Sequence, residues 1–361
     1  MMEPEVFVNC RFLEKEITGV QRYSLEITRE LKTLYPAVTC LAPDQILHPD
    51  LCEELDAKVI GRHTGHLWEQ LDLPVYLRSK GSPVLLNMGN SGPMFYGNSI
   101  VVIHDIAYER YPDAFSLQYR LLYRIMVPRL LRSAKAIVTV SEFSKSELVA
   151  RFNLSPDDVS VVHNAVRGVF RNQTAESTER YILAVSSINR QKNFHSLIQA
   201  FNRLRDVEVK LYIVGGFNRI FTDPVLKAEV TGNPNIVFKG RVSDGELISL
   251  YSNALCFVFP SFYEGFGLPP IEAQSCGCPV VASNAASLPE ICADSVVYCD
   301  PGSVDDIAQK ISMLLEHDEL RQELVRKGFA NSRRFSWSRS AQKMYSIARA
   351  MIDENSGMVR S

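Results

Sequence analysis

Apolar residues along the chain gather into short continuous runs. Val6-Phe7-Val8, Val84-Leu85-Leu86, Ile100-Val101-Val102-Ile103, Tyr181-Ile182-Leu183-Ala184-Val185, Leu255-Cys256-Phe257-Val258-Phe259 and Val280-Val281-Ala282 are of this kind. Each is closed by glycine, proline or polar residues. Continuous rather than alternating runs suit strands of a parallel sheet covered on both faces. Residues 136–141, 159–166, 209–216, 235–242 and 296–298 add further strands. Between them lie longer stretches that read as helices, at 21–34, 115–135, 142–152, 194–204 and 305–316, with a terminal one starting near Phe335. Strand and helix alternation predicts an α/β protein with two doubly wound, Rossmann-like halves. Residues 38–90 are legible only at the strand 84–87. The polar stretch 171–180 has no apolar residue larger than alanine and is the best linker between the halves.

The densest chemistry lies between the strand 255–259 and the strand 280–282. A loop with Gly265 and Gly267 leads into a short helix, opened by Pro270 and stopped by Gly277 and Pro279. Glu264 sits in the loop, and Glu272, eight residues on, in the expected first turn of the helix. The glycines admit close approach of a ligand. The amides of Gly265, Phe266, Gly267 and Leu268 suit anionic oxygens. A carboxylate suits a pair of vicinal hydroxyls. The same acids also fit a solvated surface or simple dipole complementation.

Other candidates stand at carboxyl ends of strands, the edge where α/β sheets bind ligands. Gly19 opens a helix after the first strand, or merely caps a turn. His104 and Asp105 end the strand 100–103, where they suit chemistry or a satisfied loop. Arg190 and Lys192 follow the strand 181–185, where two cations would neutralise a diphosphate or simply meet solvent. The helix 115–135 interleaves Arg120, Arg124, Arg129, Arg132 and Lys135 with leucines, and Pro128 should kink or interrupt it. It either packs on its own sheet or lies on an anionic membrane surface. His63 and His66 read as surface histidines, with no third metal ligand nearby.

Composition narrows the classes. A formal net charge of −2 argues against a nucleic-acid binder. The eight cysteines are irregularly spaced, several within apolar runs, which suits a reduced compartment. Residues 1–5 are acidic and form no signal peptide, and no apolar run is long enough to span a membrane. No Gly-x-Gly-x-x-Gly is present, since Pro270 holds the third position, which argues against an NAD-dependent oxidoreductase.

The segment Tyr263-Glu264-Gly265-Phe266-Gly267-Leu268-Pro269-Pro270-Ile271-Glu272-Ala273 resembles the Glu-x7-Glu signature of the retaining, nucleotide-sugar-dependent glycosyltransferases of family 4. Within that family it most resembles bacterial mannosyl- and rhamnosyltransferases of surface-polysaccharide assembly. The resemblance implies the GT-B fold, with two Rossmann-like domains facing a central cleft. It implies an acceptor-side domain over 1–170, a nucleotide-sugar domain over 171–336, and a terminal helix over 337–361 that crosses back to the first. It assigns Glu264 to the hydroxyls of the transferred sugar and Glu272 to the ribose. Lys192, Arg190 and the 265–268 amides go to the diphosphate, and Arg241 and Val242 to the base. His104, with Asp105, lines the sugar pocket, and the Gly19 loop approaches donor diphosphate and acceptor. The chain departs from the family with Ala165 after Asn164, and with Ser186-Ser187 where members often have Gly-Arg, which leaves Arg190 as a candidate replacement.

The implied reaction retains anomeric configuration and moves a hexosyl group. GDP-mannose is the first donor, ahead of GDP-rhamnose, dTDP-rhamnose and UDP-hexoses. A saccharide or lipid-linked glycan is the acceptor. No cofactor is implied. The lack of any Asp-x-Asp argues against a metal on the diphosphate. The expected place is the cytoplasm, with peripheral contact at the inner membrane face. A decayed nucleotide-sugar scaffold and a GT-B-fold epimerase remain as rivals.

Overall fold

The computed structural model describes residues 6–173, 179–187, 189–204, 208–216, 230 and 232–355. Residues 1–5, on which the reading of the N-terminus rests, lie outside that range, as do 174–178 of the expected linker. The chain divides into two compact units. Unit one gathers Met1–Glu109, Ser116–Asn164 and Ser336–Ser361, and unit two Arg110–Phe115 and Ala165–Phe335.

Unit one is built on a sheet of β1 (Val6–Asn9), β2 (Thr39–Ala42), β3 (Lys58–Val59), β4 (Val84–Asn87), β5 (Ser99–Val102), β6 (Ala136–Thr139) and β7 (Val159–Val161), in the order β3-β2-β1-β4-β5-β6-β7. All pairings are parallel, with Phe7 opposite Thr39 on one side and Leu85 on the other. β1, β4 and β5 are buried along their whole length, which explains their unbroken apolar character. The order reverses between β1 and β4. The loops that leave these two strands therefore diverge and open a crevice at the carboxyl edge. The terminal helix Trp337–Asn355 packs on the helix Gly19–Leu34 within this unit. Tyr345 stacks on Tyr35, and Ser340 Oγ donates to His163 O at 2.8 Å.

Unit two repeats the plan with β8 (Tyr181–Val185), β9 (Lys210–Val214), β10 (Ile236–Gly240), β11 (Cys256–Phe259), β12 (Val280–Ser283) and β13 (Val297–Cys299), in the order β10-β9-β8-β11-β12-β13, again all parallel. Alternate side chains of each strand feed opposite cores. Ile182, Ala184 and Val258 join one core with Leu197 and Ile311. Leu183 and Phe257 join the other with Ala273 and Cys276. The reversal of order falls between β8 and β11. All eight cysteines are free, and most are buried. Burial pushes the Cys256 thiol up to about 12, so it behaves as a small hydrophobe.

Three local expectations are corrected. The helix after β11 runs Leu268–Ser275 and opens two residues before Pro270. Gly267, at φ 101°, turns the chain so that Leu268 and Pro269 already hold helical positions. Glu272 consequently falls beyond the first turn. The helix Leu117–Ser133 is not interrupted at Pro128. Met126, Val127, Leu130 and Leu131 are buried around that position, and their packing holds the helix across the missing amide. His66 is no surface histidine. It is half-buried and bonded to the buried Glu69.

Candidate functional site

In unit two the loops leaving β8 and β11 flank the switch point. The β8 loop forms a single tight turn, Arg190–Lys192, capped by Asn189, whose Oδ1 accepts from Lys192 N at 3.1 Å. Asn193 holds a left-handed conformation, φ 58°. Its side-chain amide donates to Pro260 O at 3.0 Å and Pro301 O at 2.7 Å. Gln191 Nε2 donates to Tyr263 O at 2.6 Å, and Gln191 O accepts from Phe262 N at 2.9 Å. These bonds lash the two loops together and fix what they carry.

What they carry is a direct ion pair. Lys192 Nζ donates to Glu264 Oε1 at 2.6 Å, the two side chains being 15% and 11% exposed. Among the described residues Lys192 is the only partner of that carboxylate. The pair brings together the first acid and the second cation that the sequence singled out, seventy-two positions apart. Behind it, Ser287 Oγ lies 2.9 Å from the carbonyls of both Glu264 and Phe266 and so fixes the loop backbone. A Cβ on Gly267 would stand 2.6 Å from Leu288 Cδ2, so the fold itself requires glycine there. Phe266 is buried, its ring edge-on to Phe335. Leu268 opens the helix, and since Pro269 and Pro270 carry no N–H, it supplies the only amide donor of the first three helical positions. Glu272 is half-buried in the second turn. Burial, and then the charge of Glu272, push the Tyr251 hydroxyl well up.

The remaining candidates of unit two are more exposed. Arg190 is 86% exposed and 3.9 Å from Asp113. Arg241 is exposed just past the end of β10, and Val242 packs partly on the core beneath. A carboxylate beside an ammonium, with the Leu268 amide at the helix start, provides donors for phosphoryl oxygens and an acceptor for hydroxyls. Gln191, Asn193 and Ser287 are positioning residues that sequence reasoning passed over. The signal that could have found them is position: Gln191 and Asn193 flank Lys192, and Ser287 opens the turn Ser287-Leu288-Pro289-Glu290.

Unit one carries His104, Asp105 and Gly19. His104 follows β5 and is 5% exposed. Its Nε2 lies 2.9 Å from Met88 O, and its backbone N donates to Asn90 Oδ1 at 2.7 Å. A carbonyl only accepts, so the proton sits on Nε2 and Nδ1 is left as an acceptor. Burial pushes the His104 pKa down to about 4, against the bond to Met88, and the ring is neutral at neutral pH. Asp105 Oδ1 accepts from Ala107 N at 2.9 Å and so anchors the short helix Ala107–Arg110. Gly19 is exposed at the first position of its helix, and a Cβ there would touch nothing within 4 Å.

A second ion pair, absent from the sequence-level candidates, lies at the switch point of unit one. Arg11 Nε sits 3.0 Å from Glu69 Oε1. Glu69 Oε1 also accepts from Asn9 Nδ2 and Ser91 Oγ, both at 2.9 Å, and Oε2 lies 3.0 Å from His66 Nδ1. Burial alone would push the Glu69 carboxyl up, but the Arg11 guanidinium and the His66 ring outweigh it and hold it down at about 2. No cluster of three or more histidine, cysteine or acidic residues suited to a metal ion occurs among the described residues. None of the described helices is long and apolar enough to cross a membrane.

Comparison with known proteins fits this geometry. Residues 167–330 match the family model "Glycosyl transferases group 1", and residues 89–167 match "Glycosyltransferase Family 4". The chain is 32% identical to O-antigen chain mannosyltransferase B of Escherichia coli, over 89% of this chain and 93% of that protein. It is 26% identical to the O-antigen chain mannosyltransferase RfbU of Salmonella typhimurium, over 82% and 87% respectively. Among solved structures it is similar to Anabaena HepE in complex with UDP and glucose, with a TM-score of 0.76 and 17% identity, covering 96% of this chain and 100% of that one. It is likewise similar to WaaG, a glycosyltransferase of lipopolysaccharide biosynthesis, with a TM-score of 0.70 and 15% identity, covering 95% and 99%.

Proposed function

The chain belongs to the family 4 glycosyltransferases and has the GT-B fold, and from that premise we propose that it transfers mannose from GDP-mannose, with retention, to a saccharide or lipid-linked glycan of a surface polysaccharide. The observation that carries the proposal is the Lys192–Glu264 pair at the switch point of unit two. Lys192 and Arg190, with the amides of Gly265–Leu268, take the diphosphate and stabilise the charge that develops on it as the sugar leaves. Lys192 turning to phosphate frees Glu264 to accept from hydroxyls of the transferred sugar. Glu272 holds the ribose, and Arg241 with Val242 meet the base. Neutral His104 offers its bare Nδ1 to a sugar hydroxyl, Asp105 holds the loop beside it, and the Gly19 loop admits the ligand. The charge on the leaving group is met by cations and amides, and no divalent metal is required. The curated mannosyltransferase relatives support the choice of sugar.

The test is thermal stabilisation by GDP, UDP, dTDP and NAD⁺, followed by transfer assays with the matching sugars in EDTA. A ligand that binds only the folded state at one hundred times its Kd stabilises by about 2.7 kcal/mol. Selective stabilisation by GDP, and transfer of mannose with an unchanged anomeric proton coupling, is the expected result. Stabilisation by NAD⁺ alone, or conversion of the nucleotide sugar without an acceptor, overturns the proposal.

The acceptor class bears on where the protein works, and one face of unit one supports contact with a membrane surface. The helix Leu117–Ser133 buries Tyr123, Met126 and Leu130 yet leaves Leu117 and Ile125 64% and 52% exposed, with Leu121 exposed between them. Arg124, Arg129 and Arg132 are exposed on the same helix. A second exposed apolar stripe, Leu67, Leu71 and Val75, lies on the adjoining run, where the His66 ring is 6.4 Å from that of Tyr123. Apolar side chains beside arginines suit an anionic bilayer surface. Sedimentation with vesicles containing phosphatidylglycerol should fall several-fold in a Leu121→Glu, Ile125→Glu variant. Equal sedimentation of wild type and variant would remove the membrane from the picture.

A further inference from the structure

The two sheets share one plan, and the switch point of unit one also has a polar recess. It lies where the loops leaving β1 and β4 diverge, a small recess of about 20 Å³ partly open to solvent, lined by Asn9, Arg11, Lys15, Gln21, Glu69 and Ser91 among others. Its floor is already saturated. Glu69 is 1% exposed, accepts from Asn9 and Ser91 on one oxygen, which also lies against the Arg11 charge, and meets His66 on the other. Arg11, 5% exposed, donates from Nη2 to Ser91 Oγ at 2.8 Å, while its buried Nε lacks the alignment of a hydrogen bond to Glu69. The single π-type turn Trp68–Asp72 delivers Glu69 to this position, a distortion frequent at functional sites.

Lys15 is what the floor does not explain. It is half-buried at the recess, and its ammonium has no hydrogen-bond or ion-pair partner among the described residues. The neighbouring Glu14 carboxylate is turned to the Gly65 amide, from which both its oxygens accept, at 2.9 and 3.1 Å. A partly desolvated cation beside a guanidinium is unfavourable by itself. Burial, and then the Arg11 charge, push the Lys15 ammonium down to about 8. The lone carboxylate lining the recess is fully engaged, so Lys15, Arg11 and Gln21 offer donors and the incoming group must supply acceptors.

We infer that this recess is an anion-binding subsite in which Lys15, positioned by the Arg11–Glu69 pair, holds a phosphoryl oxygen carried by the acceptor. The identification of the carrier as an acceptor rests on the proposed transferase function, whereas the subsite itself does not. Lys15 contacts the ligand. Arg11, Glu69, Asn9 and Ser91 shape the recess and keep its floor from collapsing onto the ammonium.

The experiment measures binding by calorimetry without any donor, using one oligomannoside on two carriers, a farnesyl diphosphate and a neutral octyl group. Inorganic phosphate serves as competitor. The wild type should prefer the diphosphate carrier, Lys15→Gln should lose that preference about tenfold, and Lys15→Arg should restore most of it. Competition by inorganic phosphate in the wild type alone would mark any phosphoryl group as the ligand. Lys15-dependent binding that phosphate does not displace would assign the lipid-linked diphosphate as the source. Equal affinity of the wild type for both carriers, or an unchanged preference in a folded Lys15→Gln protein, overturns the subsite. Because binding is read without turnover, a chain that holds the diphosphate carrier through Lys15 but transfers nothing to it sinks the transferase reading and spares the subsite.

Discussion

Each unit places an acid and a cation at the switch point of its sheet, and the two pairs differ in how many other bonds they make. In unit one the Glu69 carboxylate is surrounded by Arg11, Asn9, Ser91 and His66. In unit two the Glu264 carboxylate has a single described partner, Lys192. A saturated buried acid has no capacity left for a ligand, and its removal strands the charge opposite. An acid with one bond, on a loop fixed through its backbone by Ser287 and Gln191, is rigid in position but free in valence. The first pair holds the fold of its unit, and the second leaves its carboxylate open to further donors.

Exchanging each acid for its amide breaks this comparison most sharply. Glu69→Gln should cost about 3–5 kcal/mol in urea unfolding, because Arg11 is left buried without its counter-charge. The pH dependence carries the same signature. Glu69 is held at about 2 when folded and near 4.3 when unfolded. Its stabilisation, about 3 kcal/mol, is therefore complete above pH 4.3 and fades as pH falls toward 2. The advantage of wild type over Glu69→Gln should shrink across that window. Glu264→Gln should leave the urea midpoint nearly unchanged and lower kcat by about 10²-fold or more. A reversed pattern, with Glu264→Gln unfolding the chain and a stable Glu69→Gln losing transfer, would show that the roles of the two pairs are exchanged.

The difference also explains which parts of the site could be read from sequence. Glu264 and Lys192 stand next to glycine, proline and strand ends, where local pattern marks the carboxyl edge. Their pairing needed only that both loops leave adjacent strands. Arg11 and Glu69 stand fifty-eight positions apart with no local cue to each other. Glu69 reaches the site on a π-type turn within the stretch 38–90, whose strands are four and two residues long. Elements so short carry little periodicity. The cue that existed was a titratable residue just past a buried strand, as at His104, and Arg11 meets it. The outline of both sheets was legible because their central strands are buried on both faces. The start of the helix after β11 was misjudged because a left-handed Gly267 let it begin before Pro270.

Glycines extend the contrast to smaller effects. Gly267 is required by its own fold, with φ at 101° and Leu288 against the missing Cβ. Gly267→Ala should therefore cost about 1–3 kcal/mol of stability whether or not a ligand is present. Gly19 has open space where a Cβ would stand and no unusual backbone angle, so nothing in the fold asks for glycine. Gly19→Ala should change the urea midpoint by no more than about 0.5 kcal/mol. If the loop approaches a ligand by its backbone, the added methyl occupies the ligand's space, and kcat/KM should fall about tenfold at unchanged stability. Normal transfer by a stable Gly19→Ala protein would remove that loop from the ligand's path. The absence of a side chain at position 19 would then reflect nothing more than the turn into the helix.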